Sequence, residues 1–158
     1  MEHLIRKIRA DEYALLDTFL YEAIFIPEGV EAPPREIIQQ PELQVYVKDF
    51  GSADGDICFV AEADGNVVGA AWTRIMDDYG HIDDSTPSCA ISLLSEYRGH
   101  GIGTELMTAL LGELKRQGYA QTSLAVQKAN YAVRMYKKVG FETVGENDEE
   151  FIMVCRLK

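Results

Sequence analysis

A β-hairpin between residues 57 and 76 limits the possible folds of this chain more than any other feature of its sequence. Two apolar runs, ICFVAEA and VVGAAWTRIM, lie on either side of Asp64, Gly65 and Asn66. Asp-Gly pairs readily adopt the positive φ angles that tight hairpin turns require. We therefore predict two antiparallel strands here, and the chain must contain a β-sheet.

The rest of the chain alternates between strand and helix patterns. Alternating apolar and polar residues predict a first strand at 4–9, and apolar residues at helical spacing predict a helix after it. A second helix is predicted to begin at Pro33 and Pro34, to break or restart at Pro41 and to end near Phe50. The later strands are expected at 88–95, 121–127, 141–147 and 151–158, with helices after 103 and after 130. This order predicts an α/β (α+β) fold with one mixed sheet and helices on its faces. At 158 residues without a linker, it also predicts a single domain over 1–158.

The charge of the chain excludes some partners. The sequence has 26 acidic and 15 basic side chains, with a formal net charge of −11. Because binding to phosphate backbones requires a basic face, nucleic acid is not an expected partner. No apolar run approaches the roughly 18 residues of a membrane span, and the first residues lack the apolar core of a signal peptide. We expect a cytoplasmic protein that does not bind membranes.

The three cysteines, Cys58, Cys89 and Cys155, each lie within an apolar run. An odd number of widely spaced cysteines argues against a disulfide framework and against a zinc site. We expect buried thiols and no metal.

The stretch YRGHGIGTELM, Tyr97–Met107, lies between a predicted strand and a predicted helix. The first N–H groups of a helix have no partner within it and attract anions. Glycines in front of them leave room for a bulky phosphate. A phosphate loop of the NTPase type would need a lysine after Gly103, and the dinucleotide fingerprint would need a glycine at Leu106. The stretch is therefore predicted to bind an anion by a different pattern.

Two motifs resemble those of the GNAT superfamily of acetyl-CoA-dependent N-acetyltransferases. The first is R-x-x-G-x-G, which begins at Arg98, and the second is NYAVRMYKKVGF, which contains Asn130, Tyr136 and Phe141. The order of elements also matches that family over nearly the whole chain. The resemblance implies a GNAT-type mixed sheet of six to seven strands that splays between 89–94 and 122–126, with about four helices on its faces.

The resemblance also implies the residues that bind acetyl-CoA. The backbone groups of Leu93 and Leu94 would pair with the pantetheine, and Asn130 would hold its thiol end. Tyr136 would be the general acid, since a phenol is protonated at neutral pH and can donate to a departing thiolate. The residues implied to hold the diphosphate are Arg98, Gly99, His100, Gly101, Ile102, Gly103 and Thr104.

The general base and the acceptor stay open at this point. No acidic residue occurs within 89–94, so Asp83 is the first candidate for the base, with Asp84, His81, Glu28 or a chain of waters as alternatives. The acidic loop 77–85 favours a cationic acceptor, either a small-molecule amine or a peptide amino group. A non-catalytic acetyl-CoA sensor, an interaction module and a structural domain without ligand are the alternatives. The family resemblance also allows a homodimer.

Overall fold

The computed structural model of the protein describes residues 2–158. Three short 3-10 segments lie at Ala10–Leu15, Arg35–Gln39 and Ser95–Tyr97. The strands are β1 (His3–Lys7), β2 (Ile57–Ala63), β3 (Asn66–Arg74), β4 (Ser88–Leu93), β5 (Gln121–Gln127), β6 (Phe141–Glu146) and β7 (Glu150–Arg156). The helices are α1 (Leu16–Ala23), α2 (Pro41–Gln44), α3 (Ile102–Arg116) and α4 (Ala132–Val139). Among the described residues, no helix is both long and apolar enough to span a bilayer.

The strands form one seven-stranded sheet in the order β1-β2-β3-β4-β5-β7-β6. Every neighbouring pair is antiparallel except β4 and β5, which are parallel. The predicted mixed sheet is confirmed. The hairpin is confirmed too, because β2 and β3 join through Asp64 and Gly65, whose φ angles are 55° and 79°.

The second predicted helix breaks and restarts at Pro41, as the sequence indicated, and both of its pieces are short. Arg35–Gln39 is a 3-10 segment, and α2 begins at Pro41 and makes a single turn. Proline has no N–H and disfavours a helical conformation for the preceding residue, and Gln40 is indeed extended, with φ −66° and ψ 142°. The periodic pattern therefore divides at Pro41 into two short pieces.

Each face of the sheet has its own apolar core. Helices α3 and α4 cover one face through a cluster that contains Ile102, Leu106, Leu110 and Met153. The other face is covered by α1 and the segment 35–50, with Trp72 fully buried against them. All three cysteines are buried and unpaired, as the sequence predicted.

The sheet separates between β4 and β5. Ser88 and Ser123 are the only paired residues of the two strands, and the Ser123 N–H donates to the Pro87 carbonyl at 3.0 Å. The Cys89 sulfur lies 2.9 Å from Thr122 Oγ1, next to this pair. Beyond it the two strands have no ladder between them, as the GNAT resemblance implied. We call the space between the later parts of the strands, residues 89–93 and 124–127, the β4–β5 opening.

Candidate active site

The glycine loop between β4 and α3 has the conformation of an anion-binding turn. Gly99 and Gly101 adopt left-handed φ angles of 80° and 83°, which other residues adopt only with strain. No protein atom lies within 4 Å of the position that a Cβ would take at either glycine. Gly101 is the N-cap of α3, and its carbonyl accepts the first helical bond, from Glu105 N–H at 3.2 Å. The N–H groups of residues 102–104 therefore precede the helical ladder and can bind a ligand.

The side chains of the glycine loop offer a ligand fewer contacts than its backbone does. Arg98 Nε donates to the Leu93 carbonyl at 3.0 Å, and Nη2 donates to Glu22 Oε2 at 3.2 Å. The guanidinium thus links β4 to α1. Ile102 is fully buried in the core, so only its backbone can reach a ligand, whereas His100 is exposed.

The backbone of Leu94 is already hydrogen-bonded within the protein. Its N–H donates to the Val68 carbonyl at 2.9 Å, and its carbonyl accepts from Tyr97 N–H at 3.0 Å. Because strand backbones point alternately to either side, and Pro87 bonds toward β5, the odd-numbered residues of β4 face β5. The prediction that Leu94 pairs with a ligand is therefore wrong.

Ile91 and Leu93 are the residues of β4 whose backbone groups point into the β4–β5 opening. Their side chains and that of Met135 come within 4.0 Å of a Cβ built on Gly103, so the glycine loop leads directly to the opening. Behind them, a Cβ at Gly69 would lie 2.2 Å from Leu93 Cδ2, which explains the glycine at that position of β3. Ile91 was not predicted from the sequence, because strand alternation identifies it only when the neighbouring strand is known.

Tyr136 lies on the buried side of α4. Its side chain is 8% exposed and packs edge-on against Phe141, with ring centroids 5.7 Å apart. It belongs to the same apolar cluster as Cys89 and Leu124, which flank the paired end of the opening. Burial, followed by the nearby Cys89 thiol, raises the pKa of Tyr136 above its usual range. The phenol therefore stays protonated at neutral pH.

Asn130 holds the start of α4. Its Oδ1 accepts a hydrogen bond from the Ala132 N–H at 2.9 Å. This bond uses the carbonyl oxygen of the Asn130 side chain. The NH2 group of the same side chain does not take part in it.

Asp83 stabilises a turn of the acidic loop. Its Oδ1 accepts hydrogen bonds from the Ser85 N–H at 2.8 Å and from Thr86 Oγ1 at 2.9 Å. The Ser85 bond first, and then the Thr86 bond, lower the pKa of Asp83. Both contacts favour the ionised form, so this carboxylate is a weaker base than a free aspartate.

The other candidates for the base lie in the same loop or further along the surface. His81 Nδ1 donates to the Met76 carbonyl at 2.9 Å, and Nε2 lies 3.5 Å from Asp84 Oδ1. Asp84 and Glu28 are both exposed. None of these contacts links them to the β4–β5 opening.

The acidic loop packs against β5. Ser123 Oγ donates to the Gly80 carbonyl at 2.7 Å, and a Cβ at Gly80 would lie 3.0 Å from the Ala125 nitrogen. Asp78 accepts hydrogen bonds from the Tyr46 hydroxyl at 3.0 Å and from Ser88 Oγ at 2.9 Å. The loop is therefore held at the paired end of the opening, on the face of the sheet opposite α3 and α4.

The sequence of the chain matches a known family. The model of the Acetyltransferase (GNAT) family matches residues 20–141. The chain belongs to the GNAT family. This match includes both motifs on which the resemblance was based, and it confirms that resemblance.

Curated relatives and solved structures agree with GNAT membership. A mycothiol acetyltransferase from Saccharomonospora viridis is 34% identical over 103 residues, which are 62% of this chain and 33% of the relative. An N-alpha-acetyltransferase from Sulfurisphaera tokodaii is 35% identical over 107 residues, 63% of this chain and 62% of the relative. The chain thus spans about a third to three fifths of the length of these relatives. PaiA N-acetyltransferase from Thermoplasma acidophilum, solved with coenzyme A, shares the fold with a TM-score of 0.72 and 21% identity, covering 99% of each chain.

Proposed function

We propose that the protein is an acetyl-CoA-dependent N-acetyltransferase that acetylates a primary amine of a small molecule or peptide. The proposal rests on the glycine loop, whose free N–H groups at 102–104 lead directly into the β4–β5 opening. Membership of the GNAT family and relatives named as acetyltransferases support it.

The residues present fit acetyl-CoA. The N–H groups of 102–104 are suited to its diphosphate, since Gly99 and Gly101 leave open space in front of them. The backbone groups of Ile91 are suited to the pantetheine amides, which would add to β4 as a further strand does. The Leu93 carbonyl accepts from Arg98 Nε, which leaves the Leu93 N–H for the acetyl group. When bound, acetyl-CoA supplies an acetyl carbonyl activated as a thioester.

Backbone and side chains around the opening then have separate tasks. The Leu93 N–H polarises the carbonyl, as donors in an oxyanion hole do. The NH2 group of Asn130 is placed at the thiol end of the ligand. Tyr136 donates its phenolic proton to the leaving sulfur, because burial keeps that phenol protonated.

The acceptor is a cationic amine. The loop that reaches the paired end of the opening is acidic, and Asp78 and Asp83 belong to it. The negative potential of such a loop concentrates cations near the opening. An alkylamine, a polyamine and a peptide amino group all meet this requirement.

Two glycine variants of α3 test the cofactor site. Acetyl-CoA at about a hundred times its Kd is expected to stabilise the wild type by about 2.7 kcal/mol in thermal unfolding. Gly101→Val is expected to weaken that binding at least about tenfold, since the side chain occupies the phosphate position. Gly118→Val is the matched control, because Gly118 is also left-handed, with φ 92°, has open space around it and lies at the opposite end of α3.

Both variants suffer similar backbone strain, so only the position of the added side chain differs. Gly118→Val should therefore lose stability and keep its affinity for acetyl-CoA. Wild-type affinity in Gly101→Val would contradict the proposed site, and a wild type without any thermal shift would contradict the proposed function itself.

A further inference from the structure

Glu150 begins β7 at the wide end of the β4–β5 opening. It is paired with Gln127, the last residue of β5, whereas the strands β4 and β5 meet only at Ser88 and Ser123. Since neighbouring strands lie about 4.8 Å apart, Glu150 is one strand away from the opening.

The Glu150 side chain projects from the face of the sheet that carries the acidic loop. Phe151, Met153 and Cys155 pack in the α3/α4 cluster, and side chains alternate along a strand. Glu150 must therefore point to the opposite face. Its charge raises the pKa of the Tyr46 phenol on that face, after the larger effects of burial and Asp78.

The backbone of Glu150 is held firmly, whereas its carboxylate is not engaged. Asn147 Oδ1 accepts from the Glu150 N–H at 2.7 Å, and the Glu150 carbonyl accepts from Asn147 N–H at 3.0 Å. Across residues 2–158, no ion pair or hydrogen bond holds the carboxylate itself. The carboxylate is therefore available to accept a proton.

The charged groups around Glu150 favour its protonated form. Burial first, and then the Glu149 carboxylate, raise the pKa of Glu150. Tyr46, from the segment 35–50, is within electrostatic reach of Glu150 and donates its hydroxyl to Asp78 of the acidic loop, and neither residue is cationic. Lys128, the residue after β5, is paired with Glu146 Oε2 at 2.7 Å.

We propose that Glu150 is the general base of the acetyl transfer, accepting a proton from the ammonium group of the acceptor directly or through one water. This inference rests on the proposed function. The freed amine forms the C–N bond as the C–S bond breaks, and Tyr136 protonates the sulfur. The second amine proton restores Tyr136, and Glu150 releases the first to solvent, so the products are the acetamide, coenzyme A and one proton.

The test compares Glu150→Gln with Glu149→Gln. The two residues are adjacent in sequence, and each substitution removes one negative charge. We expect Glu150→Gln to lower kcat at neutral pH about 100-fold and to abolish the fall in rate at acid pH that protonation of the base produces. Glu149→Gln should keep wild-type kcat on its plateau. The fall in rate at acid pH should occur at a lower pH in Glu149→Gln than in the wild type, because removal of the like charge lowers the pKa of Glu150.

Folding and cofactor binding are measured on the same variants. Because the folded state raises the pKa of Glu150, its ionised form disfavours folding above that pKa. Glu150→Gln should therefore match or exceed the wild-type Tm at pH 7, and its thermal shift with acetyl-CoA should be unchanged. If the fall in kcat at acid pH persists in Glu150→Gln, or if both variants lose kcat equally, the assignment of Glu150 is overturned. Lack of both thermal shift and thiol release in the wild type would instead contradict the proposed function.

Discussion

At the scale of single residues, the surroundings of a side chain decide which proton chemistry it can perform. Tyr136 and Asp83 were both predicted from sequence to handle protons. Burial raises the pKa of the Tyr136 phenol and suits it to donate, whereas two hydrogen bonds lower the pKa of Asp83 and weaken it as a base. Glu150 lacks such bonds, and burial raises its pKa instead.

Tyr136→Phe tests the general acid. The substitution removes only the hydroxyl, so the edge-on contact with Phe141 and the fold should survive. We expect kcat, measured as thiol release at saturating acetyl-CoA, to fall at least about 100-fold, the usual contribution of general acid catalysis. Affinity for acetyl-CoA should not change.

Tyr131→Phe provides the control for this experiment. Tyr131 begins the same helical segment but is 72% exposed, and its variant should behave as wild type. Equal rates for Tyr136→Phe and Tyr131→Phe would remove the catalytic role of Tyr136. Acetyl-CoA binding without any thiol release in the wild type would favour the sensor.

At the scale of elements, buried carboxylates join pieces of the fold that are distant in sequence. Glu12 accepts two hydrogen bonds from Arg6 of β1, at 2.9 and 2.8 Å, and one from the Arg9 N–H at 2.9 Å. These contacts fix β1 to the 3-10 segment that precedes α1. Glu113 makes a similar link, from α3 to Lys7 of β1 at 3.2 Å.

Acid pH should weaken the link at Glu12. The Arg6 bonds are the largest cause that lowers the pKa of Glu12, to about 2 from an ordinary value of 4.5. Its contribution is therefore complete above about pH 4.5 and is lost as the pH falls toward 2. Glu12→Gln is expected to lower the free energy of unfolding by about 1–3 kcal/mol at pH 7, and by about half as much at pH 3.

Urea unfolding at the two pH values measures this difference. Asp11→Asn is the matched control, because its side chain is 81% exposed and lies 3.8 Å from Arg9. It should change stability by less than about 0.5 kcal/mol at either pH. If Glu12→Gln lowers the free energy of unfolding as much at pH 3 as at pH 7, the variant has lost packing and not the ion pair.

At the scale of the whole molecule, the proposed sites for the two ligands differ in charge. The formal net charge is −11, so the proposed diphosphate site must hold its ligand with local N–H groups against the overall field. The acidic loop and Glu150 lie on the face of the sheet opposite α3 and α4. The overall charge and the local side chains on that face would therefore both attract the proposed cationic acceptor.

A matched pair of acceptors tests this charge preference. 1,4-Diaminobutane and 4-aminobutanoate differ in one end group, an ammonium or a carboxylate. We expect kcat/KM to be at least about tenfold higher for the diamine at low salt, and the ratio to narrow at high salt, where the Debye length falls to about 3 Å. A preference for the carboxylate, or a ratio independent of salt, would contradict the electrostatic argument.

Local chemistry explains why much of this protein was predictable. Asp64-Gly65 specified the hairpin turn, and the glycines at 99 and 101 specified a left-handed loop, because only a few residues adopt those φ angles without strain. The break predicted at Pro41 has a local cause as well, since proline limits the conformation of the residue before it.

The sequence by itself determined the order of strands and helices, the hairpin, the left-handed glycine loop and the family, because each of these depends on residues close together in the chain. Only the tertiary structure decided that Ile91, and not Leu94, faces the β4–β5 opening, since the direction of a backbone group depends on which strand lies beside it. It also decided that Glu150 and the acidic loop share a face. No local sequence pattern predicts that Glu150 and the acidic loop share a face, because strand pairing in the folded sheet brings together segments that lie far apart in sequence.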